Sequence, residues 1–296
     1  MSYKNNFQQI KDTTLISDIG WGCTLRSTQM LLANCLMEHN LNKDFNVFEN
    51  NIISKEYMDI ISLFLDNHLS YLSIHNIVNG PIKSTIKPGN WYGPNTAMYI
   101  ISKLFNNIKN TNINNNLNLI FEENRVIYYH KYMKLLDNKS ILIILPMRLG
   151  IDSLNESYLN QLIILIKQKQ FMGMVGGVKN MSYYFLGIEE NNNNLIYLDP
   201  HYVQEYNLEN DIKNVYHTNK YGKINIDKIN PTLAIGFYCR DLHSYIELCY
   251  NIKSLLDYDE PIININYSKN QNNNDEYNIS DEGVIININN NDWELL

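Results

Sequence analysis

The sequence predicts an α+β fold in which an early helical part precedes a sheet and a closing helix. Two observations support this prediction: apolar residues recur at helical spacing over 23–39, and strand-like apolar runs are concentrated between 171 and 239. An early helix followed by a late sheet is typical of α+β proteins. We expect one domain over residues 1–256, followed by an Asn- and Asp-rich tail over residues 257–296.

The first half of the chain is predicted to be mainly helical. The helix over 23–39 begins at Cys23, and residues 41–90 have a helical tendency that ends in a loop punctuated by proline and glycine. A further helix is predicted over 91–105. Its cap is expected to follow Pro94 and to be either Asn95 or Thr96.

The second half begins with a strand and a helix. The branched apolar run over 140–150 predicts a buried strand. The segment 153–170 follows as a helix, because Ser153 and Glu156 have the spacing of a capping box.

Strands dominate the remainder of the chain. Asparagine-rich residues between two of them predict a hairpin, and Asp241 is the expected cap of a closing helix over 241–256. The predicted strands are 171–178, 182–190, 194–201 and 232–239.

Composition excludes several classes of protein. A net charge of -7 without a basic run argues against nucleic-acid binding and against affinity for acidic membranes. The longest apolar run, residues 141–145, is far shorter than the roughly 20 residues that cross a bilayer. The polar start, "MSYKNNFQQIK", is not a secretory signal. We therefore expect a cytoplasmic protein.

The four cysteines form no C-x-x-C pair and are too few for a disulfide scaffold. Cys35, Cys239 and Cys249 lie in apolar or helical surroundings and fit the role of small buried hydrophobic residues. No cluster of histidine and cysteine has the spacing of metal ligands, so we expect no metal and no cofactor.

Cys23 has different neighbours. It follows "GWG" and begins a helix, where the unpaired backbone N–H groups lower the pKa of a thiol and favour thiolate. Gly20 and Gly22 allow backbone or substrate to approach closely, and the Cys23 N–H can point at an oxyanion. Cys23 is therefore a candidate nucleophile; the alternative is a glycine-bearing turn that precedes a core helix.

A nucleophilic thiol needs a base, and "YLDPH" offers one among seven histidines. Asp199 and His201 are two residues apart, so in extended backbone their side chains share a face. An aspartate beside an imidazole fixes its tautomer and stabilises the imidazolium. The alternative is an Asp-Pro turn that ends a strand.

Several long blocks occur in one order along the chain: "SDIGWGCTLRSTQMLLA", "NWYGPNTA", "LIILPMRLGIDSLNESY", "GMVGGVKNMSYYFLGIEE" and "PTLAIGFYCRDLHSY". With these blocks the chain resembles the autophagins, the autophagy-related cysteine peptidases, over roughly residues 3–250. The resemblance implies a papain-like fold with a small helical insertion after the first core helix. It also implies cleavage after the C-terminal glycine of the ubiquitin-like autophagy modifier, both in its precursor and in its conjugate with phosphatidylethanolamine.

The resemblance also implies roles for single residues. The family's nucleophile, orienting aspartate and general base match Cys23, Asp199 and His201. Tyr3 matches a tyrosine that assists the oxyanion hole, and Trp91 matches a tryptophan that roofs the cysteine.

The segment 176–181 matches a mobile loop that stacks on that tryptophan and includes Gly176 and Gly177. The chain departs from the family there, because Lys179 stands where the loop usually carries a proline. Little precedes Tyr3, so we expect an N-terminal flap over the site to be minimal or absent.

The last residues, "NDWELL", contain Trp293 and Leu296 with two residues between them. Such a segment can add to an exposed sheet edge as a strand, with both side chains in pockets. It resembles modifier-interacting motifs of autophagy proteins; the alternative is a frayed tail with a chance aromatic residue.

Two other functions stay open at this point. The chain could be another papain-like thiol hydrolase, such as a deubiquitinase, or an adaptor that binds the modifier without catalysis. For the favoured peptidase we expect a monomer whose access to autophagic membranes is transient and passes through the lipidated substrate.

Overall fold

The computed structural model describes residues 1–41, 45–48, 54–80, 86–108, 113, 116–206 and 215–268. Its helices are α1 Cys23–Leu41, α2 Lys55–Ser62, α3 Ile74–Asn79, α4 Pro94–Asn106, α5 Tyr129–Leu135, α6 Glu156–Ile166 and α7 Leu242–Ile252. Its strands are β1 Tyr3–Asn5, β2 Leu117–Phe121, β3 Val126–Tyr128, β4 Ser140–Arg148, β5 Phe171–Val178, β6 Met181–Ile188, β7 Asn194–Leu198, β8 Val203–Glu205, β9 Gly222–Asn225, β10 Thr232–Cys239 and β11 Asn264–Asn266.

A seven-stranded sheet with the order β2-β4-β10-β5-β6-β7-β9 forms the centre of the fold. β2 runs parallel to β4, and the other neighbours are antiparallel. Along β4, Leu142 and Ile144 belong to the core on the side of α1 and α4, whereas Ile141 and Ile143 belong to the core on the side of α6 and α7. Both faces of the sheet are covered, which explains the unbroken apolar run of this strand. The predicted α+β class is confirmed.

Helix α1 is buried on more than its apolar side. Four polar residues, Arg26–Gln29, are fully buried together with the leucines at positions 25, 31, 32 and 36 of the same helix. The helix packs against β5 and β6 on one side and against α2, α3 and α4 on others, so its polar face is covered as well. Apolar spacing identified the helix but did not indicate this enclosure.

The helical tendency predicted over 41–90 is realised, within the described residues, only in α2 and α3 and not over most of the segment. Ser54 caps α2 by accepting the Tyr57 N–H at 3.2 Å, and Ser73 caps α3 in the same way. These two short helices are the small helical insertion expected after the first core helix.

Two predicted helix caps are wrong. Helix α4 begins at Pro94 with Gly93 as its N-cap, rather than after Pro94 with Asn95 or Thr96, because the first helical position does not need the N–H that proline lacks. Helix α6 is capped by Asn155, whose side chain accepts the Ser157 N–H at 3.1 Å.

The predicted capping box of Ser153 and Glu156 therefore does not form. The Asn155 N–H donates to the Leu149 carbonyl at 2.8 Å, and this turn puts residue 155, not residue 153, at the start of the helix. The cap predicted for α7 is confirmed, since Asp241 accepts the Ser244 N–H at 2.8 Å.

Strands β5 and β10 have the predicted bounds, and β6 and β7 form the predicted hairpin. Strand β11 pairs with β3, and Ile262, Ile263 and Ile265 belong to the buried core. The chain therefore continues in the fold beyond residue 256, the expected end of the domain, and the boundary itself stays a prediction.

Trp293 and Leu296 lie outside the described residues. None of the helices seen in the described part of the chain has the length and apolarity needed to cross a membrane.

Candidate active site

The turn before α1 determines where Cys23 lies. The N–H groups of Trp21 and Gly22 donate to the Asp18 carbonyl at 3.3 and 2.9 Å, and Gly20 has a φ of 85°. A Cβ at Gly22 would lie 2.5 Å from Asp18 Oδ2. Glycine at position 22 thus leaves room for a carboxylate of the chain itself, and Cys23 becomes the first residue of the helix.

Asp199 and His201 contact each other in a turn and not in extended backbone as predicted, because β7 ends at Leu198. Asp199 Oδ1 accepts both the backbone N–H of His201 at 2.9 Å and its ring Nδ1–H at 2.5 Å. The side chains of His201 and Asp199 are 23% and 29% exposed. The carboxylate holds the ring with Nε2 turned away from it.

Strand pairing brings Tyr3 to the same place. β1 pairs in parallel with β8, and the Tyr3 N–H donates to the Pro200 carbonyl at 2.8 Å. The Tyr3 ring meets the His201 ring edge-on, with 5.4 Å between the centroids.

The sulfur of Cys23 lies where these elements meet. It faces the His201 ring, the Tyr3 hydroxyl and the backbone of Ser182 on β6, each of which lowers the pKa of the thiol. Because His201 Nδ1 is engaged by Asp199, Nε2 is the nitrogen available to the sulfur. Residues that lie almost two hundred positions apart in the chain are therefore in mutual contact.

Electrostatics in this cluster favour a charged pair. Burial raises the pKa of the Cys23 thiol, but hydrogen bonds from His201, Tyr3 and Ser182 outweigh it, and the pKa is lowered from the ordinary value. The hydrogen bond to Asp199, followed by that to Cys23, raises the pKa of His201 to about 9. The arrangement therefore shifts the pair towards thiolate and imidazolium, compared with an isolated thiol and imidazole.

The other three cysteines differ from Cys23. All four cysteines are buried, but in Cys35, Cys239 and Cys249 burial raises the pKa of the thiol, for Cys249 to about 12. Within the described residues, Cys23 is the cysteine whose pKa is lowered.

Sequence reasoning missed Tyr183, which flanks His201 on a second side. Its ring meets the imidazole edge-on at 5.5 Å and contacts the Tyr197 ring at 4.3 Å. Tyr3 and Tyr183 are each 5% exposed, so both limit the access of water to the imidazole. Nothing in "SYYF" distinguishes Tyr183 from an ordinary strand residue.

A cavity of about 270 Å³ shares Ser182 with the surroundings of the sulfur, although Cys23 itself does not line it. Trp91, 49% exposed, lines it together with Gly176 and Gly177 of β5 and with Ser182, the residue whose N–H reaches Cys23. The exposed side chain of Ile151 lies at its edge.

Lys179 lies outside this lining, exposed in the tight turn between β5 and β6. Its φ is 55°, and its carbonyl accepts a hydrogen bond from Asn230 Nδ2 at 2.9 Å. Proline keeps φ near about -65° and cannot adopt this conformation. The departure from the proline expected by resemblance therefore matches the local backbone.

A second cluster missed by sequence reasoning lies behind the first turn of α1. Arg26 Nε donates to Asp18 Oδ2 at 2.8 Å, Arg26 Nη1 donates to Asp66 Oδ1 at 3.0 Å, and all three side chains are fully buried. The available signal was an arginine three residues after Cys23 in a helix that was expected to pack in the core.

Comparison with known proteins gives consistent matches. The family model described as the peptidase C54 catalytic domain matches residues 1–251. The chain is 35% identical over 253 residues to the probable cysteine protease ATG4 of Scheffersomyces stipitis, covering 81% of this chain and 45% of that protein. It is 32% identical over 277 residues to the cysteine protease ATG4 of Candida albicans, covering 87% and 57%. It is 28% identical over 292 residues to the cysteine protease ATG4B of Gallus gallus, covering 86% and 73%. The chain spans about half the length of the fungal relatives that it matches.

Proposed function

The chain belongs to the peptidase C54 family of papain-like cysteine peptidases, and we propose that it hydrolyses the amide bond after a C-terminal glycine, with Cys23 as nucleophile. The observation that carries this proposal is the contact of a thiol of lowered pKa with an imidazole that Asp199 orients. His201 is the proposed general acid and base.

In the first step the Cys23 thiolate attacks the glycyl carbonyl carbon. The Cys23 N–H, at the first position of a helix and so without an intrahelical partner, is one donor to the resulting oxyanion, and the Tyr3 hydroxyl is the second. The His201 imidazolium gives its proton to the departing nitrogen. The C–N bond breaks, and a glycyl thioester remains on Cys23.

In the second step water attacks the thioester carbonyl while neutral His201 takes a proton from it. The C–S bond breaks, the glycine carboxylate is released, and the thiolate–imidazolium pair is restored. Asp199 stays ionised throughout and keeps Nδ1 protonated, which leaves Nε2 as the nitrogen that exchanges the proton.

The surroundings of the sulfur support a residue without a side chain at the cleavage position. Trp91, Gly176 and Gly177 line the adjacent cavity, and the main chain of Ser182 reaches the sulfur. A side chain at the cleaved residue would compete with these groups for space, so selection for glycine would be steric.

The proposed substrate is the C-terminal tail of the ubiquitin-like autophagy modifier. Similarity to proteins named cysteine protease ATG4 supports this choice. A peptide and a phosphatidylethanolamine head group present the same glycyl amide to the thiolate, so one site can mature the precursor and delipidate the conjugate. Further proposals are a cytoplasmic monomer and a modifier-binding role for Trp293 and Leu296.

The test uses three substrates: modifier precursor with a reporter after its glycine, modifier conjugated to phosphatidylethanolamine in vesicles, and ubiquitin fused to the same reporter. We expect release after glycine from the first two and none from ubiquitin. Cleavage of ubiquitin alone would favour a deubiquitinase. Modifier binding without any cleavage would favour an adaptor and exclude the peptidase.

A further inference from the structure

The fully buried cluster of Asp18, Arg26 and Asp66 is not used in the mechanism above. Two carboxylates flank one guanidinium, and the exposed fraction of each side chain is 0%. Charges in such a place lose their hydration, and only good geometry and additional hydrogen bonds compensate for that loss. Most of the additional hydrogen bonds are made by Asp18, and Arg26 Nη1 also donates to Gln29 Oε1 at 3.3 Å.

Asp18 joins the two elements that carry Tyr3 and Cys23. Its Oδ1 accepts the backbone N–H of Lys4, the residue after Tyr3, at 2.7 Å. Its Oδ2 accepts Arg26 Nε at 2.8 Å, and its carbonyl accepts the Gly22 N–H at 2.9 Å. One residue thus holds β1 on one side and the first turn of α1 on the other.

The same turn also holds the Tyr3 phenol. The backbone of Gly20 and the sulfur of Cys23 both lie near the Tyr3 hydroxyl and affect its pKa. Burial, then Cys23 and then Asp18, raise the pKa of Tyr3, so the hydroxyl stays protonated and remains a donor.

We propose that Asp18 is a positioning residue that keeps the Tyr3 hydroxyl near the Cys23 sulfur by binding Lys4 and Arg26 at the same time. The proposal rests on the proposed function for the role of Tyr3 in the reaction. In this proposal the buried charges align an oxyanion donor, Tyr3, with the nucleophile, Cys23. They also contribute to the stability of the fold.

The carboxylate is needed because both of its oxygens accept. Asparagine at position 18 offers one oxygen and one NH₂ group, so one orientation sets the NH₂ against the Lys4 N–H and the other sets it against Arg26 Nε. Either orientation places two donors face to face. We expect the clash to move β1 or the start of α1 and to separate Tyr3 from Cys23.

Asp66 provides a matched control. It binds the same guanidinium through Oδ1, and within the described part of the chain its Oδ2 has no hydrogen-bond partner. Asparagine at position 66 can keep the bond to Arg26 through its oxygen and place the NH₂ group at the unpaired position. It removes the same charge as Asp18→Asn without disturbing β1.

The experiment is a double-mutant cycle that combines Tyr3→Phe with Asp18→Asn and, separately, with Asp66→Asn. Two rates are measured on samples matched for folded fraction by thermal melting. One is iodoacetamide alkylation of Cys23 against pH, followed on its peptide by mass spectrometry. The other is cleavage of modifier precursor.

We expect Tyr3→Phe to slow cleavage by about 100-fold, the loss typical of an oxyanion donor, both in the unmodified chain and in Asp66→Asn. In Asp18→Asn the loss should already be present, and Tyr3→Phe should add less than about threefold, within the usual error of additivity. The alkylation profile should move to higher pH in Tyr3→Phe and Asp18→Asn alike, without a further move in the double variant.

Equal effects of Tyr3→Phe in the unmodified chain and in Asp18→Asn would overturn the proposal, as would loss of the Tyr3 effect in Asp66→Asn. If Asp18→Asn does not fold, Arg26→Lys replaces it, because an ammonium keeps the charge but lacks the rigid fork. An unreduced Tyr3 effect there would count equally against the proposal. Should the unmodified chain leave the precursor intact, the proposed function fails, whereas the alkylation cycle still measures how Asp18 couples Tyr3 to Cys23.

Discussion

Two clusters near the start of α1 share one charge pattern and differ in what they can do. In one, Cys23 and Asp199 flank His201, whose side chain is 23% exposed. In the other, two aspartates flank Arg26, and every side chain is fully buried. With Cys23 as thiolate, both clusters are an anion, a cation and a second anion.

The difference lies in the central cation and in one anion. Arginine cannot release a proton in a protein. The pKa of His201 is about 9, close enough to neutral pH for the imidazolium to give up its proton during a reaction. Sulfur is a strong nucleophile, and the carboxylate in the corresponding place is a weak one. Equal charge patterns therefore give a reactive cluster in one place and a structural one in the other.

The largest expected effect is the loss of the nucleophile. Cys23→Ala should reduce precursor cleavage by at least about 10⁴-fold and leave modifier binding intact, because binding does not need the thiol. The measurement is reporter release, with affinity determined by titration. The matched control is Cys249→Ala, the same change at a buried thiol of raised pKa; it should keep cleavage per folded molecule. A Cys23→Ala protein that cleaves at the normal rate would show that the cluster of Cys23, His201 and Asp199 is not the reactive one.

The next largest effect falls on stability. Arg26→Met should lower the free energy of unfolding by about 3–5 kcal/mol, because two carboxylates would stay buried without their cation. Urea denaturation measures this loss. Further replacement of Asp18 and Asp66 by asparagine should recover part of it. An unchanged urea midpoint for Arg26→Met would show that this cluster contributes little to the stability of the fold.

The pH profile tests the reactive cluster alone. Cleavage needs Cys23 ionised and His201 protonated, so the rate should fall as pH rises through about 9. The acid limb should lie below the ordinary pKa of a thiol, because the pKa of Cys23 is lowered. Steady-state rates across pH measure both limbs.

Asp199→Asn is the control for the alkaline limb. The hydrogen bond from Asp199 is the largest contribution that raises the pKa of His201, so the alkaline limb should move to lower pH in this variant. The rate at its optimum should fall too, since the tautomer is no longer fixed. If the alkaline limb of Asp199→Asn lies at the same pH as in the unmodified chain, Asp199 does not raise the pKa of His201.

The smallest expected effect concerns the aromatic wall of the reactive cluster. Tyr183→Ala removes a ring that meets the imidazole at 5.5 Å, and water could then compete for the Asp199–His201 hydrogen bond. We expect kcat to fall by about tenfold, the equivalent of one charge-assisted hydrogen bond. Tyr183→Phe keeps the ring and should retain most of the unmodified rate. Similar losses in both variants would assign the effect to the hydroxyl instead.

Sequence patterns predicted much of the fold. The bounds of β5 and β10, the start of α1 at Cys23 and the Asp241 cap follow from local apolar spacing and capping chemistry. The caps predicted for α4 and α6 were wrong. Several residues near the start of each helix can cap it, and the surrounding turn selects one of them.

The site was predictable to a lesser extent. Cys23 was suggested by its helix N-terminus and His201 by the aspartate near it, and resemblance to a family added Tyr3 and Trp91. Arg26 and Tyr183 were not predicted, because nothing in their local sequence distinguishes a residue that supports the site from one that fills the core.

By itself the sequence determined several helices and strands, among them α1, β5, β10 and α7, and the local surroundings of Cys23. These depend on interactions between residues close together in the chain, which spacing records. The tertiary structure decided that Tyr3, Cys23, Ser182 and His201 meet, and that Asp18 joins two distant elements. Such contacts depend on strand pairing and on the burial of charge across the fold, and composition and periodicity carry no direct record of either.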